Sequence, residues 1–265
     1  MPHALDGARE RLKRADENIQ NFNREITDFL APVAPITLNV DMPAQKPIIT
    51  DEDRKAFEKL VKFLKEHTVE PRFSVLAGEI VHHLRSAFDH LAWQLSSANL
   101  QTKSPAQIEF PVFRDAPKLC GVAKNKICRY CRKVEGISSP SALARIERLQ
   151  PYHGVDPSRH PLWLIHDIDR IDKHRELILT VYIMQLNISA NAQVSAIGEM
   201  LPWELKPRNV HLVGSPTNVE MKVKMAAQIS LGEFSRRDDQ PIIPTLQNFL
   251  RFTTDAVESF AEEFA

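Results

Sequence analysis

Leu5, Ala8, Leu12, Ala15, Ile19, Phe22, Ile26 and Phe29 recur at alternating steps of three and four. That spacing predicts a long amphipathic helix with a narrow, coiled-coil-like stripe. Pro32 sets its end, because a proline disfavours helical geometry in the residue before it. The stripe suits either one helix of a bundle or a dimerising helix. Four prolines punctuate residues 32–47, with a strand expected at Ile36–Val40. Thr50 reads as an N-cap with Asp53 three residues on, opening a second helix with Phe57, Leu60, Val61 and Leu64 inward. A third helix is expected from about Arg72 to Leu100, a short one at Ser141–Leu149, and another from Pro161 through LWLIHDIDRIDKHREL. After it the period changes. LILTVYIMQLNISA is apolar and β-branched, and Val219, Met221, Val223 and Met225 alternate with charged residues. Asn209–Val213 is a further strand candidate, and a closing helix starts near Pro244.

These patterns predict an α+β, mainly α fold: a helical bundle with a small antiparallel sheet near the C-terminal half. The domain reading is one unit over 1–265. The bundle takes about 1–178 plus a closing helix at 242–265, and the strand-rich insert about 178–232.

Composition narrows the class. At 265 residues, 43% hydrophobic and 26% charged, the chain can bury a real core. Lys+Arg 34 against Asp+Glu 34 excludes a generally basic nucleic-acid wrapper, though not a local basic patch. No apolar run is long enough to span a bilayer, and the charged N-terminus lacks a secretory signal, so no membrane partner and a reducing, cytoplasmic location are expected.

The segment AGEIVHHLRSAFDHLAWQL carries the densest chemistry. On a helical wheel of about 100° per residue, Leu76, Ala77, Ile80, Val81, Leu84, Ala87, Phe88, Leu91, Ala92 and Leu95 share one apolar arc. Glu79, His82, His83, Arg85, Ser86, Asp89, His90, Trp93 and Gln94 face the other way. Three histidines on a polar helix face have four readings. A second buried layer would satisfy the imidazoles structurally. Acid–base work would use His90 near neutral pH, with Arg85 holding an anionic phosphate from the other side of the Ser86–Asp89 ridge, although Asp89 can equally pair with Arg85 four residues earlier. Metal binding would use Glu79-x-x-His82, but no second Glu-x-x-His completes a di-metal set; a mononuclear site of His82, His90 and a residue from another helix stays open, and no metal and no cofactor are assigned. Nucleophilic catalysis by Ser86, between His82 and His90, is set aside because a mid-helix serine ordinarily bonds its own backbone.

On the helix from Pro161, the stripe is read as Leu164, Ile168, Ile171, Ile178 and Leu179, with Asp172 and Arg175 at its edges. Asp169, Asp172 and Glu176 form an acidic ridge, and His174 lies with Asp167 and Arg170 on the other flank. The ridge serves either a structural ion-pair network with Arg85 and the histidines or the orientation of an imidazole by Asp172 or Asp169. Both uses require the two helices to touch.

Cys128-x-x-Cys131 with Cys120 upstream leaves a zinc site open, with His153 or His160 as a fourth ligand. Lys118, Lys124, Lys126, Arg129, Arg132 and Lys133 make an acid-free basic stretch, either a solvated loop or an RNA-backbone contact with Tyr130 available to stack.

HHLRSAFDHLAW together with IDKHRELI, LQPY and PLWLIHDID resembles a widespread group of bacterial proteins of unassigned activity that carry an Arg-Ser-Ala-x-Asp-His-Leu helix and a later Asp-Lys-His-Arg helix. Arg85-x4-His90 on a bundle helix is also similar to the Arg-x4–6-His signature of HEPN domains. Many of those are metal-independent ribonucleases of toxin and antiviral systems that act as dimers. That resemblance implies His90 as the acid–base group, Arg85 as phosphate clamp, RNA as substrate and a homodimer; on the reading of the residues themselves, Asp172 joins Arg85 and His90 in the candidate catalytic set, His82, Ser86, Asp89, Asp169, His174 and Arg175 support it, and Lys124, Lys126, Arg129 and Arg132 are the candidate RNA contacts. Two further classes stand beside it: a non-enzymatic interaction protein whose charged helix seam is structural, and a metal-dependent bundle enzyme.

Overall fold

The computed structural model describes residues 3–33, 35–43, 48–117, 129–190, 194–196, 210–212, 218–232 and 241–265. The fold is α+β and mainly helical, and the chain divides into two compact units. One comprises Met1–Asn23, Pro71–Leu177 and Ile242–Ala265; the other comprises Arg24–Glu70 and Ile178–Pro241. No helix among the described residues is long and apolar enough to cross a membrane.

The first unit is helical. Its long first helix, α1 (Asp6–Leu30), continues into the second unit from Arg24. Leu5, Ala8, Leu12, Ala15, Ile19 and Phe22 are all buried within the chain, so this part of the coiled-coil-like stripe is used as a bundle face. The expected third helix is two elements. α3 (Pro71–Leu95) ends at a serine pair, and Ser97 then accepts from Leu100 N–H at 3.4 Å to cap the short α4 (Ala98–Lys103). α5 (Arg129–Val134) and α6 (Pro140–Arg148) follow, the latter capped by Ser139. The unit closes with α7 (Pro161–Asp172) and α8 (Ile242–Glu258). α3 is central. Its apolar arc is so wide that Ile80, Val81, Leu84, Ala87, Phe88 and Leu91 are wholly buried, packed between α7 and α8. Leu246, Phe249, Ala256, Val257 and Phe260 supply the facing side at the C-terminal end.

α7 departs from expectation in length and in rotation. It stops at Asp172, where Lys173 N–H returns to Asp169 C=O at 3.2 Å and the N–H groups of His174 and Arg175 both return to Ile171 C=O at 2.9 Å. His174 and Arg175 are therefore exposed turn residues, not members of a helical flank. The buried stripe is Leu162, Ile165, Ile168 and Asp169, whereas Ile178 is exposed. A carboxylate lies within the buried face because it is paired there, which a reading from apolar spacing does not anticipate.

The second unit is a sheet with one helix on it. β1 (Ile36–Pro43), β2 (Ile48–Ile49), β3 (Leu179–Ala190) and β6 (Asn218–Leu231) form an antiparallel sheet in the order β2-β1-β6-β3, and β4 (Val194–Ala196) pairs with β5 (Val210–Leu212) separately. Ile36 pairs with Met225 and Leu179 with Leu231, and β3 carries a bulge between Gln185 and Asn187. α2 (Asp51–Glu66) starts as its sequence dictates, with Thr50 Oγ1 accepting from Asp53 N–H at 3.0 Å. Phe57, Leu60 and Phe63 are its buried residues, so Phe63 takes an inward place expected for Val61 and Leu64, which are half-buried. Val33, Leu60, Phe63 and Ala227 make the local core with Ile36 and Val181 packed on it. The strand-rich part is thus larger than an insert at 178–232, because β1, β2 and α2 belong to it.

Candidate functional site

The polar face of α3 is divided between three neighbours. The first is the irregular segment Phe110–Phe113, which pairs with no strand and so needs other partners for its backbone groups. Asp89 Oδ1 accepts from Phe110 N–H at 2.9 Å, and Arg85 Nη2 donates to Phe110 C=O at 2.9 Å and to Asp89 Oδ1 at 2.9 Å. Gln150, wholly buried, completes the job: its amide donates to Pro111 C=O at 2.9 Å and Ile146 C=O at 3.1 Å and accepts from Phe113 N–H at 3.0 Å. Arg85 is consequently 3% exposed. It clamps backbone rather than presenting a guanidinium to a phosphate, which corrects the role that the Arg-x4-His spacing suggests. Its Nη1 is buried and has no hydrogen-bond partner among the described residues.

The second neighbour is α7. His82 Nδ1 lies 3.0 Å from Asp169 Oδ1, and Lys173 Nζ donates to Asp169 Oδ2 at 2.6 Å. The carboxylate is 6% exposed while the imidazole is 54% exposed, so a buried acid holds a solvent-reachable ring. On the ring's other side, Ser86 Oγ is 3.4 Å from His82 Nε2. Asp172 sits beside this group against Gly78, and its carboxyl titrates above the usual carboxylate range, first through burial and then through the charge of Asp169. The two helices touch, as expected, and the orienting carboxylate is Asp169.

The third neighbour is α1. His90 packs at Gly7, and burial lowers its pKa, with the charge of Arg11 acting the same way. His83 is lowered by burial and then by His82, Arg11 and Arg14. His90 and Arg85 therefore address different neighbours, and no contact joins them.

His166 on α7 is a member that the spacing of charged residues does not reveal. Burial, followed by the nearby charge of Arg85, pulls its pKa down to about 4. A neutral imidazole at that position is what permits a guanidinium beside it. The only hint in the sequence is the one-turn spacing His166-x-x-Asp169. Lys133 on α5 is lowered by burial and then by Arg85, and it pairs with Glu109. Glu147 is another group that spacing does not single out. It accepts from Tyr152 Oη at 2.6 Å and lies 3.2 Å from His153 Nε2, with burial and this acceptance raising the Tyr152 phenol.

Of the proposed RNA contacts, Arg129 and Arg132 are exposed on α5, whereas Lys124 and Lys126 lie outside the described residues. So do Cys120 and Cys128, while Cys131 is half-buried and not in a disulfide. His160 is used as the N-cap of α7, where Nδ1 accepts from Leu162 N–H at 3.3 Å. Among the described residues, no group of three or more His, Cys, Asp or Glu side chains is placed to hold a metal ion. No family model, curated protein or solved structure matches the chain.

Proposed function

We propose that the helical unit is an RNA-binding, metal-independent endoribonuclease in which His82, not His90, moves the proton. The observation that carries this reading is the His82 Nδ1–Asp169 Oδ1 contact at 3.0 Å on a ring that is 54% exposed. Donation from Nδ1 to the carboxylate fixes the ring's orientation and tautomer and leaves Nε2 as the proton acceptor. Nε2 would take the proton of a ribose 2′-hydroxyl, whose oxygen attacks the adjacent phosphorus, and would return that proton to the 5′-oxygen as the P–O bond to it breaks. The products are a 2′,3′-cyclic phosphate end and a free 5′-hydroxyl. Lys173, 54% exposed and held by Asp169, supplies a cation beside the same ring for the phosphate charge. Arg129 and Arg132 are available to the RNA backbone. The substrate class is carried over from the Arg85-x4-His90 resemblance, while the proton-moving role passes from His90 to His82.

The test is cleavage of a mixed RNA pool by purified protein in chelator. Activity that survives chelation and vanishes in His82→Ala and Asp169→Asn supports the assignment. Neither cleavage nor RNA binding by the folded protein overturns it.

One observation favours a second reading, a non-enzymatic interaction module: Arg85 and Asp89 are engaged with the Phe110 backbone and serve the packing of the unit. That reading predicts no change in any catalytic readout when His82 is replaced.

A further inference from the structure

We infer that Ser86 is a nucleophile for acyl transfer, activated by His82 and Asp169. This goes beyond the ribonuclease reading, in which the attacking oxygen belongs to the substrate.

The hydroxyls of this protein provide the comparison. A serine or threonine inside a helix normally returns its hydroxyl to the carbonyl four residues back. Ser96 does so to Ala92 at 2.8 Å, Thr102 to Ala98 at 2.8 Å, Thr253 to Phe249 at 2.8 Å and Thr254 to Leu250 at 2.9 Å. Ser86 does not. Its hydroxyl meets the side chain four residues back instead, with Oγ 3.4 Å from His82 Nε2. The far nitrogen of that ring is 3.0 Å from Asp169 Oδ1, and Asp169 is buried and held from its second oxygen by Lys173. Hydroxyl, imidazole and buried carboxylate thus stand in a line from half-exposed surface to interior. This is the order that nucleophilic serine chemistry requires, and a hydroxyl–imidazole distance somewhat long at rest is usual without substrate. α3 and α7 are packed helices, so the three groups rest on rigid elements.

The reaction balances within these groups. Ser86 Oγ attacks the carbonyl carbon of a carboxylic ester, forming the Oγ–C bond, as its proton passes to His82 Nε2. The C–O bond to the leaving group breaks, and the alkoxide takes that proton. Water then attacks the acyl-serine, gives its proton to Nε2, and Ser86 Oγ leaves and recovers it. The half-exposed position of Ser86 suits small, activated esters.

The test uses the full chain with a fluorophosphonate probe, which phosphonylates an activated serine with loss of fluoride, and with p-nitrophenyl acetate. The expected result is one label, mapped by peptide mass to Ser86, absent in Ser86→Ala and slowed by about 100-fold or more in His82→Ala. Asp169→Asn should slow it as well, with circular dichroism establishing that each variant folds. As a second measurement, the thiol of Ser86→Cys should be alkylated by iodoacetamide with a pH profile shifted below that of the same thiol in the His82→Ala background. No label at Ser86 in the folded protein, equal labelling in His82→Ala, or identical alkylation profiles for Ser86→Cys in the two backgrounds overturns the inference. Neither measurement contains RNA, so a failure of RNA cleavage leaves the labelling result standing, and the reverse also holds.

Discussion

Asp172 occupies the space that a side chain at Gly78 would need: a Cβ built there would stand 2.6 Å from Asp172 Oδ2 and overlap the rest of the carboxylate. The glycine lets α7 bring its acidic end onto α3, at a position where helix propensity alone would favour alanine. Because the half-buried Asp172 carboxylate can turn aside, Gly78→Ala is expected to destabilise the protein by no more than about 1 kcal/mol net of its propensity gain. Asp172→Ala in the same chain should recover most of the loss. Urea denaturation of the two single variants and the double variant measures the coupling, and additive effects would contradict this account.

Arg85 is a structural cation, and its removal should show in stability first. Arg85→Ala strips Phe110 C=O and Asp89 of their partner at a site 3% exposed. A loss of about 3 kcal/mol is expected, kept below the full value for a buried pair because Asp89 is 36% exposed. Thermal melting checks it, and an unchanged midpoint would return Arg85 to the groups free to bind an anion.

The stability of the protein should fall on mild acidification. His166 has a folded pKa of about 4, below its value in an unfolded chain. Between that value and the ordinary histidine range near 6.5, the unfolded chain binds a proton that the folded chain does not, so stability is present above about pH 6.5 and is lost as pH falls toward 4. His83, His90 and His160 are also lowered and add in the same direction. On the order of 2 kcal/mol is expected from His166 after allowance for its partial exposure. His166→Gln should flatten the decline, and proton NMR of the wild-type ring should show no titration above pH 5.

Gln150 should behave as a core residue although it is an amide. Gln150→Leu keeps the volume but strips Pro111 C=O, Ile146 C=O and Phe113 N–H of their partner. About 2–4 kcal/mol of destabilisation is expected from leaving those buried backbone groups unmatched. Hydrogen exchange at Phe113 should accelerate in the variant, and unchanged protection there would count against the assignment.

Local signals are legible in proportion to how local their causes are. The stripe of α1, the cap at Thr50 and the strands at 179–190 and 218–231 follow from spacing and side-chain shape, and the structure places them where expected. The wide arc of α3 is equally plain, and with it the ring of polar residues opposite. What spacing does not encode is which of those polar residues a neighbour covers. Arg85 is hidden by a segment 25 positions away in the chain, and His82 rather than His90 pairs with Asp169, 87 positions away. The rotation of α7 escapes the pattern for the same reason, since a paired carboxylate sits where spacing calls for an apolar residue. The end of α7 carries neither glycine nor proline to mark it.

Both units are discontinuous in the chain, and β1 near the start pairs with β6 near the end. The sheet cannot close before Leu231 is made, nor the helical core before Phe260. Strand β1 therefore waits for β6, a partner far later in the chain, and α3 waits for α7 and α8. Slow assembly, and intolerance of losing either α1 or α8, are built into the topology.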